Sequence, residues 1–332
     1  MEPWGLDGPY FDDLQRGQRL EPAPDITIDA GMCAQYQSIC GDPLAIALST
    51  PLAARITGRD SAVVNPALAL HVAIGQSTVA TRRVIANLFY RGVVCRDLVR
   101  VGETLHTEVT IRGLRETTRR ADRPPRGMAL LGIRTTSDTG ALIADFERCA
   151  LLPFRNSDAH TGHVDDLGPS STPLVIDDWR AAVPVDWQLA ALPARDTTWT
   201  VGETRHDPLR DTVTDATALV RLTQNLAAAH RDARLGQKGR RLVYGGHTIG
   251  LAQASLARLL PSMATVLGWH SCDHTGPVFE GDVLSVSATL DAMLDVAAGA
   301  RALAFTVLVA AEGDDRDEAT PVLDWKPVVY AT

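Results

Sequence analysis

Two stretches of the chain are apolar on every side. Residues 67–79 start behind Asn65-Pro66, an N-cap followed by a proline at the first helical position, and carry Leu68, Leu70, Val72, Ala73 and Ile74 around the whole circumference. A helix with no polar face belongs in an interior. Residues 247–260 repeat the pattern, entered through Gly245-Gly246 and stopped by Pro261. Less apolar helical segments are read at residues 30–40, ended by Gly41-Asp42-Pro43, and at 217–232. Strand character is read at residues 105–111, which alternate at period two, and at 128–135 and 141–152, the last two joined by Ser137-Asp138-Thr139-Gly140. Further strands are read at residues 284–290, 302–311 and 321–330.

The order of these elements repeats. Val213-Thr214-Asp215-Ala216 echoes Ile28-Asp29-Ala30, and Phe279-Glu280-Gly281-Asp282 echoes Val101-Gly102-Glu103-Thr104. The offset, about 180 residues, is far longer than any solenoid repeat. Each copy is a helical entry, one long buried helix and then antiparallel strands, which a sheet wrapped round its own helix satisfies. The expected fold is therefore α+β: two antiparallel sheets, each wrapped round a buried helix. Residues 1–155 would form the first repeat, 156–198 a linker and lead-in rich in Pro, Asp, Ser and Thr, and 199–332 the second repeat.

The copies differ where chemistry is concerned. The second has Asn225 and His230, where the first has Asp42 and Ala47, and the Gly-Gly helix entry of the second is absent from the first. The second therefore reads as the working copy and the first as a scaffold, with one active site per chain. Asn225 and His230 can handle a water molecule. Gly245 and Gly246, with no Cβ and at the positive end of a helix, can offer N–H groups to a carbonyl oxygen. Hydration or dehydration beside an acyl carbonyl needs both.

Composition narrows the partners. Of 332 residues, 45% are hydrophobic and 22% charged, which suits packed cores, and the net charge of −8 argues against nucleic acid. The five cysteines form no CxxC pair, which suggests neither a disulfide framework nor a zinc ribbon and fits a reducing, cytoplasmic setting. No apolar leader and no run of about 18 apolar residues is read, so neither export nor a membrane span is expected.

Several motifs run together in a pattern similar to that of the MaoC-like (R)-specific enoyl-CoA hydratases of double-hotdog fold. They are Ser49-Thr50-Pro51, Ile85-Ala86-Asn87-Leu88-x-Tyr90, Gly113-Leu114-Arg115, Gln224-Asn225-x4-His230, Gly239-Arg240-Arg241-x-Val243-Tyr244-Gly245-Gly246-His247, His274-Thr275-x-Pro277-x-Phe279-x-Gly281-Asp282 and Val322-Leu323-Asp324. Within that family the chain most resembles the branch acting on mesaconyl-CoA and 2-methylmalyl-CoA. The resemblance implies reversible hydration of a short branched or dicarboxylic 2-enoyl-CoA. CoA would be part of the substrate, with no separate cofactor and no metal, and a homo-oligomer is possible. The wider family carries Asp-x4-His; this chain has Asn225 in the Asp position, as the mesaconyl-CoA branch does. His230 is then the sole general acid/base, Asn225 orients the water, and Gly245 or Gly246 donates to the enolate oxygen. Tyr244 and His247 are placed beside the substrate. The basic cluster Arg231, Arg234, Lys238, Arg240 and Arg241 is expected to form a rim for CoA phosphates or an acyl carboxylate.

Other readings compete. A hotdog thioesterase would use the same helix start but direct water at the thioester carbonyl. A non-catalytic acyl-CoA or acyl-carrier binding protein would bind without turnover. The run His270-Ser271-Cys272-Asp273-His274 is ligand-rich, but it reads as a loop between an apolar helix and a strand.

Overall fold

A computed structural model describes residues 7–192, 198–237, 239–297, 299–314 and 316–332. In the first half, β1 (Ile26–Thr27) leads into α1 (Ala30–Cys40), α2 (Ala45–Leu48), α3 (Thr50–Thr57) and α4 (Pro66–Gln76), followed by β2 (Ala86–Cys95), β3 (Thr104–Glu116), β4 (Arg126–Ser137) and β5 (Leu142–Pro153). In the second half, β6 (Thr204–His206) and β7 (Asp211–Thr212) precede α5 (Ala216–Leu222) and α6 (Gly245–Leu259), and β8 (Met263–Asp273), β9 (Val283–Ala297), β10 (Ala300–Glu312) and β11 (Thr320–Ala331) close the chain. All strands share one antiparallel sheet of order β1-β3-β4-β5-β2-β8-β11-β10-β9-β6, with β7 also on β9. The order is palindromic about the β2–β8 junction, where Tyr90 pairs with Cys272 and Val94 with Gly268.

The duplication is visible in the order of elements, while the caps differ between the halves. Asp29 accepts from Met32 N (2.8 Å) at the start of α1, and Asp215 sits at the start of α5. Asn65 Oδ1 accepts from Ala67 N at 2.9 Å and Pro66 opens α4. Every residue of α4 is buried, as its unbroken apolar circumference requires. Gly75 lets α4 touch the second half directly: a Cβ there would stand 1.8 Å from the carbonyl oxygen of Thr223.

Two expectations fail. Residues 217–232 are not one helix. α5 ends at Leu222, Gln224 takes φ +55°, and Asn225 and His230 lie on the loop beyond, with only a 3-10 turn at Ala228–His230. The tract His270–Asp273 is not a loop but the end of β8, and β2 is a strand the pattern does not announce. Both flank the junction, and β8 is buried almost throughout, so the period-two signal disappears. The outer cover comes from the linker: His270 Nε2 donates to Thr172 O (2.8 Å), Arg91 donates to Leu167 O and Pro169 O, and Trp179 is buried. Among the described residues no helix is long and apolar enough to cross a membrane.

Candidate active site

The loop carrying Asn225 and His230 is pinned from several sides. Asn225 N donates to Val220 O (2.9 Å), Leu226 N to Thr78 Oγ1 (2.7 Å), Ala228 N to Arg82 O (3.0 Å), and Leu242 N to Ala229 O (3.1 Å). The first and last bonds are internal to the second half; the middle two reach the end of α4 and the turn after it. Arg231 clamps the loop by donating Nε and Nη2 to Asn225 O at 2.8 and 2.6 Å.

These elements enclose a cavity of about 260 Å³ whose wall includes Asn225, His230, Tyr244 and Gly245. His230 Nδ1 donates to Leu242 O at 2.9 Å, which fixes the tautomer and leaves Nε2 with its lone pair. Burial, assisted by the positive charge of Arg148 and opposed by the Leu242 bond, lowers its pKa to about 4, so the ring is neutral at pH 7. Asn225 is 1% exposed; its Oδ1 accepts from Ala227 N at 2.9 Å, and its Nδ2 has no acceptor among the described residues. Tyr244 stands at a ring distance of 5.7 Å from His230 and donates its hydroxyl to His71 O (3.2 Å), tying the start of α6 to α4.

Not every expected residue reaches the cavity. Gly245 does; Gly246 does not, and a Cβ on Gly246 would meet the Tyr244 ring at 2.6 Å. His247 is buried away from the wall, with neither ring nitrogen partnered. The basic rim is otherwise engaged. Beyond the Arg231 clamp, Arg234 pairs with Asp232 (2.6 Å) and Arg241 with Glu280, while Arg240 lies over the Phe279 ring (4.5 Å) with Asp282 at 3.8 Å. Lys238 lies outside the described residues. None of Arg231, Arg240 and Arg241 lines the cavity.

Other wall residues are given no role in the sequence reading. His274 lies over Gly245, where a Cβ would approach its ring to 2.5 Å. Its Nε2 is buried without a partner, and burial together with the nearby His230 lowers its pKa to about 4. From sequence the tract is a ligand-rich run that reads as a loop, and the His274-Thr275-x-Pro277 motif marks it without assigning it a role. Among the described residues no group of His, Cys, Asp and Glu forms a metal ligand set. The first half also supplies part of the wall, including Thr78 and Thr81 after α4, Asn87 and Tyr90 on β2, and Arg148 on β5. That half is more than a scaffold. Arg148 is 4% exposed, donates to Ser77 Oγ at 3.0 Å and to Thr81 Oγ1, and leaves Nε without an acceptor. Both amide atoms of Asn87 are buried and unpartnered.

No protein-family model matches the chain. It is 28% identical over 284 residues, 83% of this chain and 81% of the relative, to the mesaconyl-CoA hydratase of Cereibacter sphaeroides. It superposes with a TM-score of 0.88 on a conserved double-hotdog protein of Mycobacterium tuberculosis, 41% identical, over 98% of this chain and 99% of the other. It also superposes, at TM-score 0.87 and 25% identity, with 98% of each chain covered, on a Chloroflexus aurantiacus protein assigned to the MaoC-domain dehydratases.

Proposed function

Because the chain belongs to the MaoC-like double-hotdog hydratases, we propose that it adds water reversibly to a short 2-enoyl-CoA of the mesaconyl-CoA type. The supporting observation is the cavity wall itself. A neutral imidazole with a bare Nε2, an amide with a free Nδ2–H and a first-turn helix N–H all open onto one space.

In this reading Asn225 Nδ2 donates to a water oxygen and holds its lone pair toward the substrate. As that oxygen bonds to the β-carbon, His230 Nε2 takes the water proton. The electron pair of the C=C bond moves onto the thioester oxygen, and the enolate so formed accepts from Gly245 N–H. That amide belongs to the first helical turn, where no residue four earlier supplies an acceptor. His230 then returns its proton to the α-carbon on the same face, closing the balance. Dehydration is the reverse. One such donor is worth about 3 kcal/mol in the transition state. The Leu242 carbonyl keeps the imidazole in the tautomer that can both take and return the proton.

Mesaconyl-CoA and crotonyl-CoA offered to the purified protein should lose their enoyl absorbance, and His230→Gln should slow the better substrate by about 10²–10⁴-fold. Free CoA appearing ahead of hydration product, read with a thiol reagent, would favour a thioesterase instead. Absence of turnover with any enoyl-CoA would sink the hydratase reading.

A further inference from the structure

Arg148 is a buried cation with no anionic partner among the described residues. It is 4% exposed, its hydrogen bonds go to the neutral hydroxyls of Ser77 and Thr81, and its Nε has no acceptor. Ser77 and Thr81 also mark the end of α4, whose carbonyl terminus partly offsets a positive charge but does not neutralise it. Even a half-buried arginine here is paired: Arg258, on α6, is bonded to the carboxylates of both Asp207 (2.7 Å) and Asp211 (2.8 Å). An isolated charge taken out of water is costly, and such charges are ordinarily paired or neutralised. The space Arg148 faces is the proposed active-site cavity. A second group shares the mismatch: Asn87 lines the same cavity with both amide atoms buried and unpartnered. The β-ladder puts them together, since β2 pairs with β5 through Tyr90↔Arg148 and Asn87↔Ala150.

We propose that Arg148, with the Asn87 amide beside it, receives a free carboxylate on the acyl part of the substrate, and so selects dicarboxylic over monocarboxylic acyl-CoA. This rests on the hydratase reading for the place of the acyl group but not on any step of the chemistry. A guanidinium suits the task because its N–H groups fit the two oxygens of a carboxylate in one plane. Arg231, Arg240 and Arg241 lie outside the cavity wall and are held by Asn225 O, Asp282 and Glu280. Position also separates a carboxylate from a CoA phosphate. Arg148 sits on an inner strand among Ile74, Tyr90 and Tyr244, at a depth suited to the acyl end. A bound carboxylate would in turn screen His230 from the positive charge of Arg148.

Succinyl-CoA and butyryl-CoA, both saturated and unable to add water, isolate recognition from catalysis. By titration calorimetry the wild-type protein should bind succinyl-CoA roughly 10²-fold more tightly than butyryl-CoA, the scale expected for a buried charge pair. Arg148→Met should abolish the preference, and Arg148→Lys, which keeps the charge but not the fork, should retain part of it. Without ligand, Arg148→Met should melt no lower than wild type, because it removes an unpaired buried charge. A wild-type protein with no preference, or a preference that survives Arg148→Met, would overturn the proposal. So would an Arg148→Met variant that melts lower while keeping the preference, since Arg148 would then be a brace. If the preference holds but no enoyl-CoA is turned over, carboxylate recognition stands and the hydratase reading falls.

Discussion

Lowering the pH toward 5 should remove much of this protein's stability before its carboxylates titrate. His71 and His247 are 0% and 1% exposed, and none of their ring nitrogens has a partner. Burial lowers His71 to about 3 and His247 to about 4; His230 and His274 stand at about 4 for the same first cause. Each is neutral in the folded chain, whereas in the unfolded chain it titrates near 6.5. The stability these groups carry is therefore complete above about pH 6.5 and is lost as the pH falls from there toward 4. For one such group the loss at pH 5 is about 2 kcal/mol. His230 and His274 line the cavity and can meet water, so we count them at half, which brings the total to about 6 kcal/mol, against a typical domain stability of about 5–15 kcal/mol. Asp42, raised by burial, works in the opposite sense and offsets a small part. Urea unfolding followed by far-UV circular dichroism at pH 7.5, 6.0 and 5.0 should show that loss. Calorimetry in buffers of different ionisation heat should find roughly three protons taken up on unfolding at pH 5.5. His71→Met should remove one of them. Uptake below one proton would refute the claim that these rings are buried in the neutral form.

Two glycine substitutions separate fold from site. Gly75→Ala would drive a methyl group into the Thr223 backbone, so we expect a loss of about 3 kcal/mol or more, seen as a large fall in Tm; an unchanged Tm would mean that α4 is not seated against that loop. Gly245→Ala meets only the His274 ring, which can swing. The fold should survive with Tm within a few degrees, while hydration slows roughly 10²-fold as His274 is displaced and the approach to the helix amide is blocked; an unchanged rate would remove Gly245 from the site.

What the sequence discloses is local. Helix α4 could be read because Asn65-Pro66 states its start and its apolar circumference states its burial. The Gly245-Gly246 entry was legible because the absence of side chains is itself the signal. The placement of Asn225 and His230 was not, since helical composition continues past Leu222 while the backbone turns at Gln224. Strand β8 escaped because burial on both faces removes alternation, and β2 because its mostly half-buried residues follow no period of two. Arg148 escaped for a different reason. On β5 it is one basic residue among inward-facing Phe146 and Ala150. Its meaning depends on β5 lying beside β2, and on the α5–α6 loop of the other half closing over both.

The same geometry sets apart the two similar polar clusters of the halves. Asp42 and Asn225 occupy corresponding positions and make the same local bond, Asp42 Oδ1 accepting from Leu44 N and Asn225 Oδ1 from Ala227 N, each at 2.9 Å. Around Asp42 the remaining capacity is filled from within: Asn65 Nδ2 donates to Oδ2 at 2.7 Å, and Gln253 Nε2 at 2.6 Å. Gln253 belongs to α6, so the second half closes the polar cluster of the first. Around Asn225 the first half does the reverse. It supplies Arg148 and Asn87, whose own hydrogen-bonding capacity is left unmet and faces the cavity. A satisfied buried cluster adds rigidity and specificity, while an unsatisfied one is retained at a cost that a ligand can remove. On the proposed function, duplication let one chain separate the two tasks, with one copy of the polar cluster made into structure and the other left incomplete for a substrate to complete.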